Sequence, residues 1–259
     1  MNGKFKKDEL GTRMKSSYED RTRFFLPRRS HTIIRIDGKA FHTYTRGLSR
    51  PFDDGFIEDM DATAGYLCKN IQGAKFAFVQ SDEISILLTD YDKITTDAWF
   101  DNNVQKMASV SASMATSAFM RARLARIEHR EREVSNIEML KFAEFDSRVF
   151  QIPEWTEVEN YFIWRQQDCV RNSISSVAQS LYSHKELNGK NTDEMQEMIF
   201  QKGINWNDYG PKYKRGRAIV KEEYEGAGEV IRHRWGSVAC PILTKAKDYI
   251  KSCVEGIYE

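Results

Sequence analysis

The sequence predicts an α+β fold, because strand-like and helix-like segments occur along most of the chain. The run 32–38 is rich in β-branched residues and predicts a strand, and 76–88 predicts two apolar strands joined by a short acidic turn. Two long segments, about 99–127 and 157–183, contain neither Gly nor Pro and carry apolar residues at helical spacing. Hairpin strands combined with separate long helices are typical of this fold class.

Shorter elements complete the predicted order. Apolar periodicity predicts one more helix and one more strand, and Pro or Gly marks several of the element ends. These elements are a short N-terminal helix ending before Pro27, a helix over 54–70, a strand over 145–150, and a hairpin of 218–220 with 230–231 whose turn holds Gly226 and Gly228.

Length and composition are those of an ordinary soluble globular protein. The chain has 259 residues, 41% apolar and 30% charged, which suits one large domain or one domain with a helical extension. The formal net charge of +1 gives no global bias, so any affinity for nucleic acid has to come from local patches. No apolar run is long enough to span a membrane, and the N-terminus lacks the apolar core of a signal peptide. The four cysteines follow no zinc or disulfide spacing, which favours reduced thiols and a cytoplasmic protein.

Two acidic residues stand where predicted strands end. Side chains alternate along a strand, so Arg35 and Asp37 share one face, while Asp82 lies at the hairpin turn. If the hairpin pairs beside the first strand, Asp37 and Asp82 converge. Two carboxylates about 4 Å apart repel by roughly 4 kcal/mol at an effective dielectric of about 20, so such a pair needs a cation or a shared proton. Mg²⁺ suits these oxygen ligands, and Gly38, which has no Cβ, lets its carbonyl approach a metal.

Simpler interpretations of both motifs stay open at this point. An Asp-Gly pair at a strand end is typical of a turn, and Ser-Asp-Glu between two apolar runs is typical of a solvated hairpin loop. The loop 39–53 combines cations and hydroxyls with Gly and Pro, a pattern that suits a nucleoside triphosphate. Within this loop, His42 is by default a structural hydrogen-bonding residue.

The C-terminal half offers candidate contacts for RNA. The helix over 157–183 has a polar stripe opposite its apolar stripe, and basic and aromatic residues cluster over 206–217. Both features suit hydrogen bonds to phosphates and stacking on unpaired bases. Solvation of the stripe, or core aromatic residues flanked by surface lysines, would give the same patterns. The candidate RNA-contacting residues are Arg165, Asn172, Lys212, Lys214 and Arg215.

Five motifs follow one another in a specific order. They are 35–42 (RIDGKAFH), 50–53 (RPFD), 80–83 (QSDE), 145–149 (FDSRV) and 164–169 (WRQQDC). In order and spacing they resemble the tRNA-histidine guanylyltransferase family, and the resemblance runs from about Met14 to Gly216. Five ordered motifs are far more specific than any one of them.

This resemblance implies a fold and a reaction. The implied fold is a palm-like βαββαβ catalytic domain, in which helices pack on an antiparallel sheet. This domain is expected to span 1–150 and to include the N-terminal helix. A helical and β-hairpin extension over 151–259 is then expected to pack on the palm and to contact tRNA. The implied reaction is nucleotide addition in the 3′-to-5′ direction, in which the 3′-hydroxyl of an incoming nucleotide attacks an activated 5′ end of tRNA.

The resemblance also assigns roles to residues. It implies two Mg²⁺ ions held by Asp37, Asp82 and the carbonyl of Gly38, with Asp37, Asp82 and Glu83 as catalytic residues and with GTP and ATP as substrates. The two metal ions are expected to activate the attacking hydroxyl and to balance the charge of the leaving group. The positions expected around the nucleotide and its phosphates are Arg35, Lys39, Ala40, Phe41, His42, Arg50, Asp53, Ser81 and Lys106.

One stretch departs from the eukaryotic pattern of the family. Where eukaryotic members have His-Ile-Asn-Asn-Leu-Tyr-Asn after Asp-Cys, this chain has 170–176 (VRNSISS), in which only Asn172 matches. The departure resembles the bacterial and archaeal guanylyltransferase-like branch, whose members repair truncated tRNA 5′ ends by template-directed addition. Repair is therefore the expected function, with guanylate addition to histidine tRNA as the narrower alternative. The family also implies a dimer of dimers, for which the small residues of the helix over 99–127 are suited.

Two other functions would use the same residues. A nucleotide cyclase of the palm superfamily would need both carboxylates but no RNA. A non-catalytic RNA-binding module on a degenerate palm would need no metal pair, and the presence of Asp37, Gly38 and Asp82 argues against it.

Overall fold

A computed structural model describes residues 9–130, 141–225 and 231–255. Its strands are β1 (His31–Gly38), β2 (Ala74–Gln80), β3 (Glu83–Leu88), β4 (Phe145–Ile152), β5 (Arg217–Glu225) and β6 (Ile231–Ala239). They form one six-stranded sheet in the order β4-β1-β3-β2-β5-β6, and each neighbouring pair is antiparallel. The mixed helix-and-strand fold class and the antiparallel sheet are therefore confirmed.

Helices cover both faces of this sheet. The helices in the described ranges are α1 (Glu9–Met14), α2 (Phe41–Tyr44), α3 (Asp54–Asn70), α4 (Val104–Arg130), α5 (Trp155–Leu181), α6 (His184–Leu187), α7 (Thr192–Gln201), α8 (Pro211–Arg215) and α9 (Tyr249–Glu255). Helices α3 and α4 pack on one face, where Ile34 and Ile36 contribute to the core, and α5 and α9 pack on the other, where Ile33 contributes. None of the helices in the described ranges is long and apolar enough to cross a membrane.

Burial on both faces explains the composition of the central strands. Every residue of β2 and of β3 is buried, so these strands are apolar along most of their length instead of alternating between apolar and polar. Both of these central strands are therefore packed between two layers of helix.

The long helices lie close to where the sequence predicts them, with shifted ends. The predicted helix over 54–70 is α3, and its first turn is capped by Asp53, whose side chain accepts from the N–H of Phe56 at 2.7 Å. The helix predicted from position 99 begins at Val104 instead. A 3-10 turn precedes it, in which Phe100 and Asp101 have left-handed φ values of 50° and 52° and prevent a continuous helix.

The second half of the chain extends the same sheet. Strand β5 pairs with β2 through Ala77 and Ile219, and β6 pairs with β5 along its length. The hairpin is thus continuous with the strands of the predicted catalytic domain. Its predicted turn at Gly226 and Gly228 lies outside the described residues.

The N-terminal segment and the small residues of α4 bear on the expected association of subunits. Helix α1 and the two short turns that follow it, up to Thr22, have no buried residue. The small residues of α4, by contrast, pack inside the chain: Ser111 is buried, and its hydroxyl lies 2.8 Å from that of Ser147 on β4. The inner side of α4 is therefore used by the chain's own sheet and is not a free surface for a second subunit.

Candidate active site

The end of β1 and the β2–β3 turn meet at one end of the sheet. The N–H of Gly38 donates to the carbonyl oxygen of Asp82 at 3.2 Å, and Asp37 lies opposite Glu83 in the β1–β3 register. Ser81 turns the hairpin with a left-handed φ of 44°. The structure therefore brings Asp37 and Asp82 to adjacent positions, as strand alternation and hairpin pairing lead one to expect.

Burial sets the electrostatics of this pair. Loss of solvent raises the pKa of Asp82 to about 6, and the negative charges of Asp37 and Glu83 add to the effect, while hydrogen bonds from its own N–H and from Ser81 oppose it. Asp37 keeps 33% of its side chain exposed, with the guanidinium of Arg148 at 3.7 Å. A nearby cation would therefore stabilise the charged form of Asp82.

The oxygen atoms available here fit a hard divalent cation. Two carboxylates and a backbone carbonyl at Gly38 are ligands that Mg²⁺ accepts, and Mg²⁺ commonly fills its remaining positions with water and substrate phosphates. In the part of the chain that the structure describes, no group of three or more His, Cys, Asp or Glu residues is arranged to hold a metal. The oxygen atoms that could hold a metal at this sheet end are those of Asp37, Asp82 and the carbonyl of Gly38.

Gly38 is required by the packing of Phe41. A Cβ atom on Gly38 would lie 2.3 Å from Cδ2 of Phe41, whose ring is buried at 4% exposure among Tyr44, Phe119 and Phe145. The side chain of Phe41, expected around the nucleotide, is therefore part of the core. Ala40 before it has a left-handed φ of 54°, an uncommon conformation for a residue with a Cβ.

A cavity of about 260 Å³ lies beside Ser81, between the loop that follows β1 and helix α5. Several predicted positions line it together. These are His42, Arg50, Asp53, Ser81, Asn172 and Lys212. The structure therefore groups part of the predicted nucleotide set with two of the predicted RNA contacts.

The cations of this cavity differ in whether they have an anionic partner. Lys212 pairs with Asp54 at 2.7 Å, and Arg217 pairs with Asp61 at 2.7 Å. Within the described ranges, neither Arg46 nor Arg50 forms an ion pair. These two guanidiniums are therefore available to bind phosphate oxygens.

The loop that carries Arg46 and Arg50 is held at both ends. Asp53 accepts from the N–H groups of Ser49 at 3.1 Å and Phe56 at 2.7 Å, and although burial acts in the opposite direction, these bonds lower its pKa below the usual value. At the other end, the ammonium of Lys141 donates to three carbonyl oxygens, those of Thr43 at 3.3 Å, Tyr44 at 3.2 Å and Arg46 at 2.8 Å. Asp53 thus stabilises the loop, because its carboxylate accepts hydrogen bonds from backbone N–H groups.

Glu83 and Arg165 form a buried ion pair, which corrects two expectations. Arg165 donates to both carboxylate oxygens of Glu83, at 2.7 and 2.9 Å, and Arg35 donates to the same carboxylate at 2.6 Å. Arg165, expected on a polar stripe that contacts RNA, is only 3% exposed, and it also binds Asp168 at 2.7 Å. The stripe is polar here because α5 crosses a sheet face that carries Glu83, and Glu83 itself has no free oxygen for catalysis.

The remaining predicted residues lie outside the cavity. Lys39 is exposed and pairs with Glu144 at 2.6 Å. Lys106 lies in the first turn of α4, with its ammonium 5.4 Å from the centre of the Phe100 ring. On α8, the ammonium of Lys214 donates to the carbonyl of Asn207, and Arg215 is half-buried.

The sequence did not single out Gln80, Arg46 or Arg217, which also line the cavity. Gln80 is 2% exposed, hydrogen-bonds to Asp168 and leaves its Oε1 without a partner among the described residues. Arg46 could have been selected because it lies in the same cationic loop as Arg50. The positions of Gln80 and Arg217 depend on pairing between β2 and β5, for which the sequence has no local signal.

Comparison with known proteins places the chain in a family. Residues 11–153, more than half of the chain, match the family described as Thg1, tRNAHis guanylyltransferase. The chain is 27% identical over 229 residues to the tRNA(His) guanylyltransferase of Debaryomyces hansenii, covering 83% of this chain and 82% of that protein. It is 28% identical over 204 residues to a probable tRNA(His) guanylyltransferase of Dictyostelium discoideum, covering 73% and 75%.

Solved structures are similar along almost the whole length. A bacterial tRNA(His) guanylyltransferase (Thg1)-like protein in complex with ATP superposes with a TM-score of 0.83 at 46% identity, covering 95% of this chain and 99% of that chain. The corresponding complex with GTP gives 0.80 at 44%, covering 96% and 100%. The Saccharomyces cerevisiae tRNA(His) guanylyltransferase gives 0.64 at 25%, covering 85% and 94%. This chain therefore belongs to the tRNAHis guanylyltransferase family of nucleotidyltransferases, on its bacterial-like branch.

Proposed function

We propose that this protein is a Mg²⁺-dependent enzyme that adds nucleotides to the 5′ end of tRNA in the 3′-to-5′ direction, on a palm-like sheet. The observation that carries the proposal is the position of Asp37 and Asp82 at one sheet end, next to a cavity in which Arg46 and Arg50 form no ion pair with any described residue. A carboxylate pair calls for a cation, and unpaired guanidiniums suit a triphosphate. The complexes of bacterial relatives with ATP and with GTP support these nucleotides as substrates.

The carboxylate pair and the cavity divide the work of the reaction. When bound by Asp37, Asp82 and the carbonyl of Gly38, two Mg²⁺ ions would lower the pKa of the attacking 3′-hydroxyl and balance charge on the leaving group. A cation bound here would hold Asp82 in its ionised form, in which its carboxylate can act as a ligand. Arg46 and Arg50 hold the triphosphate and so orient the nucleotide for attack. The bond formed joins the 3′-oxygen to the 5′ phosphorus, and pyrophosphate leaves from a triphosphorylated end, or AMP from an adenylylated end.

Repair of shortened tRNA, directed by the opposing strand, is the proposed role. The greater identity to the bacterial Thg1-like protein than to the eukaryotic enzymes supports it. Guanylate addition to histidine tRNA, the activity in the names of the curated relatives, is the narrower alternative. Asn172 on α5 and Lys212 on α8 line the cavity and are proposed to contact the tRNA.

We propose further that the protein is cytoplasmic and assembles as a dimer of dimers. The N-terminal segment supports association, because large apolar side chains project from it into solvent. These side chains are Leu10 at 60%, Met14 at 42%, Tyr18 at 67%, Phe24 at 72% and Phe25 at 53% exposure. Light scattering of the purified protein would measure the number of subunits, and a monomer at all concentrations would contradict the assembly.

The function is tested by measuring nucleotide addition to the 5′ end of a tRNA that lacks its first nucleotide and carries a 5′ triphosphate. With Mg²⁺, the wild-type protein is expected to add the nucleotide complementary to the opposing base. Asp37→Asn and Asp82→Asn should each abolish addition while keeping the fold, because the ligand geometry stays but the charge is lost. Asp97→Asn, on a side chain that is 84% exposed, serves as the control and should extend normally.

Two outcomes would redirect the assignment. Formation of a cyclic nucleotide without RNA would indicate a cyclase. Tight tRNA binding that chelation leaves unchanged, with no incorporation under any condition, would indicate a binding module.

A further inference from the structure

We propose that Trp164 is the surface on which the 5′-terminal base of the RNA stacks. The proposal rests on the proposed function, because it concerns the RNA end that this site would extend. Trp164 is the first residue of the motif WRQQDC.

The ring of Trp164 is held in place and yet open. It lies on α5 with 47% of the residue exposed, and its edge meets the ring of Tyr161 at a centroid distance of 5.9 Å. The guanidinium of Arg165 lies 4.3 Å from the ring centre, and that of Arg35 lies 5.9 Å from it. Both arginines bind Oε2 of Glu83, so they approach the ring from the side of that carboxylate. A large aromatic surface that is fixed from beneath loses little entropy when it binds a flat partner.

The ring is close to the carboxylate pair. Only one guanidinium separates it from Glu83, which follows Asp82 in the chain and lies opposite Asp37 in the sheet. Along α5, Trp164 precedes the cavity residue Asn172 by about 12 Å at the usual helical rise. The ring and the cavity therefore lie at different places along the same helix, with the hairpin that carries Asp82 packed against that helix.

The charges around the Trp164 ring and around the cavity favour different ligands. The arginines beneath Trp164 are already neutralised by Glu83, so they offer a triphosphate little binding energy. The groove beside the ring, about 490 Å³, is lined by Glu154, Glu157 and Asn160 among others, and no Lys or Arg of the described ranges lines it. A free nucleotide, whose triphosphate needs cations, is better bound at Arg46 and Arg50. The base at Trp164 is then one that its own RNA chain holds in place.

Stacking suits an enzyme that meets different 5′ ends. Every base has a π-face, so an aromatic platform gains affinity without selecting a sequence. Hydrogen-bonding groups around the groove are expected to add little discrimination, because Asn160 already bonds to Glu157 at 2.9 Å.

A binding cycle with an abasic RNA tests the proposal. Affinities are measured for a tRNA whose 5′-terminal nucleotide is intact and for one in which that nucleotide lacks its base. Wild-type protein should bind the abasic RNA about tenfold more weakly. Trp164→Leu, which keeps an apolar cover over Arg165, should bind the intact RNA about tenfold more weakly and show no further loss with the abasic RNA.

Two further variants complete the design. Phe200→Leu removes another exposed ring, 63% exposed on α7, and should behave as wild type. Trp164→Phe keeps a ring and should recover most of the affinity, which also covers the case in which the leucine variant unfolds.

Several results would overturn the proposal. One is wild-type affinity of Trp164→Leu for the intact RNA, and another is a full abasic penalty in that variant. If Trp164→Leu raised KM for the nucleoside triphosphate and left RNA affinity unchanged, the ring would instead bind the incoming nucleotide. Nucleotide addition is scored separately, so an enzyme that extends RNA without this coupling would disprove the stacking and leave the proposed function intact.

Discussion

Two pairs of arginines flank the turn that carries Asp82, and they differ in what they touch. Arg46 and Arg50 line the cavity and have no ion-pair partner in the described ranges, whereas Arg35 and Arg165 share the buried carboxylate of Glu83. The first pair gains free energy only when an anion arrives. The second pair has its anion inside the protein and therefore holds the hairpin in place. Residue type alone does not separate binding from positioning here, but pairing does.

The largest expected effect comes from breaking the buried pair. Arg165→Met should lower the free energy of unfolding by about 3–5 kcal/mol, because it leaves Glu83 buried with less compensation. Urea denaturation followed by circular dichroism measures this loss. Arg50→Met, measured alongside, should change stability by less than about 0.5 kcal/mol. Equal losses in the two variants would erase the difference between the two pairs.

Without metal, the buried charge of Asp82 should lower the free energy of unfolding. Folding raises the pKa of Asp82 to about 6, so the penalty for its charge is absent below about pH 4, grows between pH 4 and 6, and is full above that range. Asp82→Asn should therefore stabilise the metal-free protein by about 3 kcal/mol at pH 7, with the gain fading as the pH falls toward 4. Thermal unfolding at several pH values checks this. Mg²⁺ should reduce the difference, and a gain independent of pH would contradict the cause given.

The same substitution, Gly to Ala, can be compared at Gly38 in the candidate site and at Gly65, where there is space for a methyl group. Gly38→Ala should destabilise by about 1–2 kcal/mol, because the new methyl group meets the ring of Phe41 in the core. Gly65→Ala on α3 meets nothing within 4 Å and should be neutral or stabilise by up to about 1 kcal/mol. Urea denaturation separates the two, and a neutral Gly38→Ala would show that Phe41 moves freely.

The smallest expected effect concerns nucleotide binding in the cavity. Arg50→Met should raise KM for the nucleoside triphosphate about tenfold, because one charge-assisted bond to phosphate is lost. Steady-state extension at varied nucleotide concentration measures it. Arg165→Met, assayed at a temperature where it stays folded, should lower kcat more than it raises KM. The opposite pattern in both variants would reverse the roles assigned to the two pairs.

Sequence reasoning succeeded where local rules decide the structure. Alternation along β1 and the acidic turn after β2 are local features, so the adjacency of Asp37 and Asp82 could be predicted before any contact was known. Helix α3 was predicted for the same reason, since its apolar spacing is contained within one segment. The resemblance to the family added motifs that no single segment carries.

It failed where partners are distant in the chain. Arg165 lies off the apolar stripe of α5, and helical periodicity alone treats such a residue as solvated. Its partner Glu83 comes from another strand, and burial of both depends on how α5 crosses the sheet. Phe41 was expected near the nucleotide. Its ring instead packs against Gly38 and belongs to the core.

Lys141 gives the loop of the cavity a mechanical link to the rest of the molecule. Its single ammonium holds the carbonyls of Thr43, Tyr44 and Arg46, and only a few residues separate it from the start of β4. A displacement of that edge strand would therefore pull on the backbone that aims Arg46. The proposed binding of the nucleotide by Arg46 would thereby depend on the position of the outermost strand through one flexible side chain.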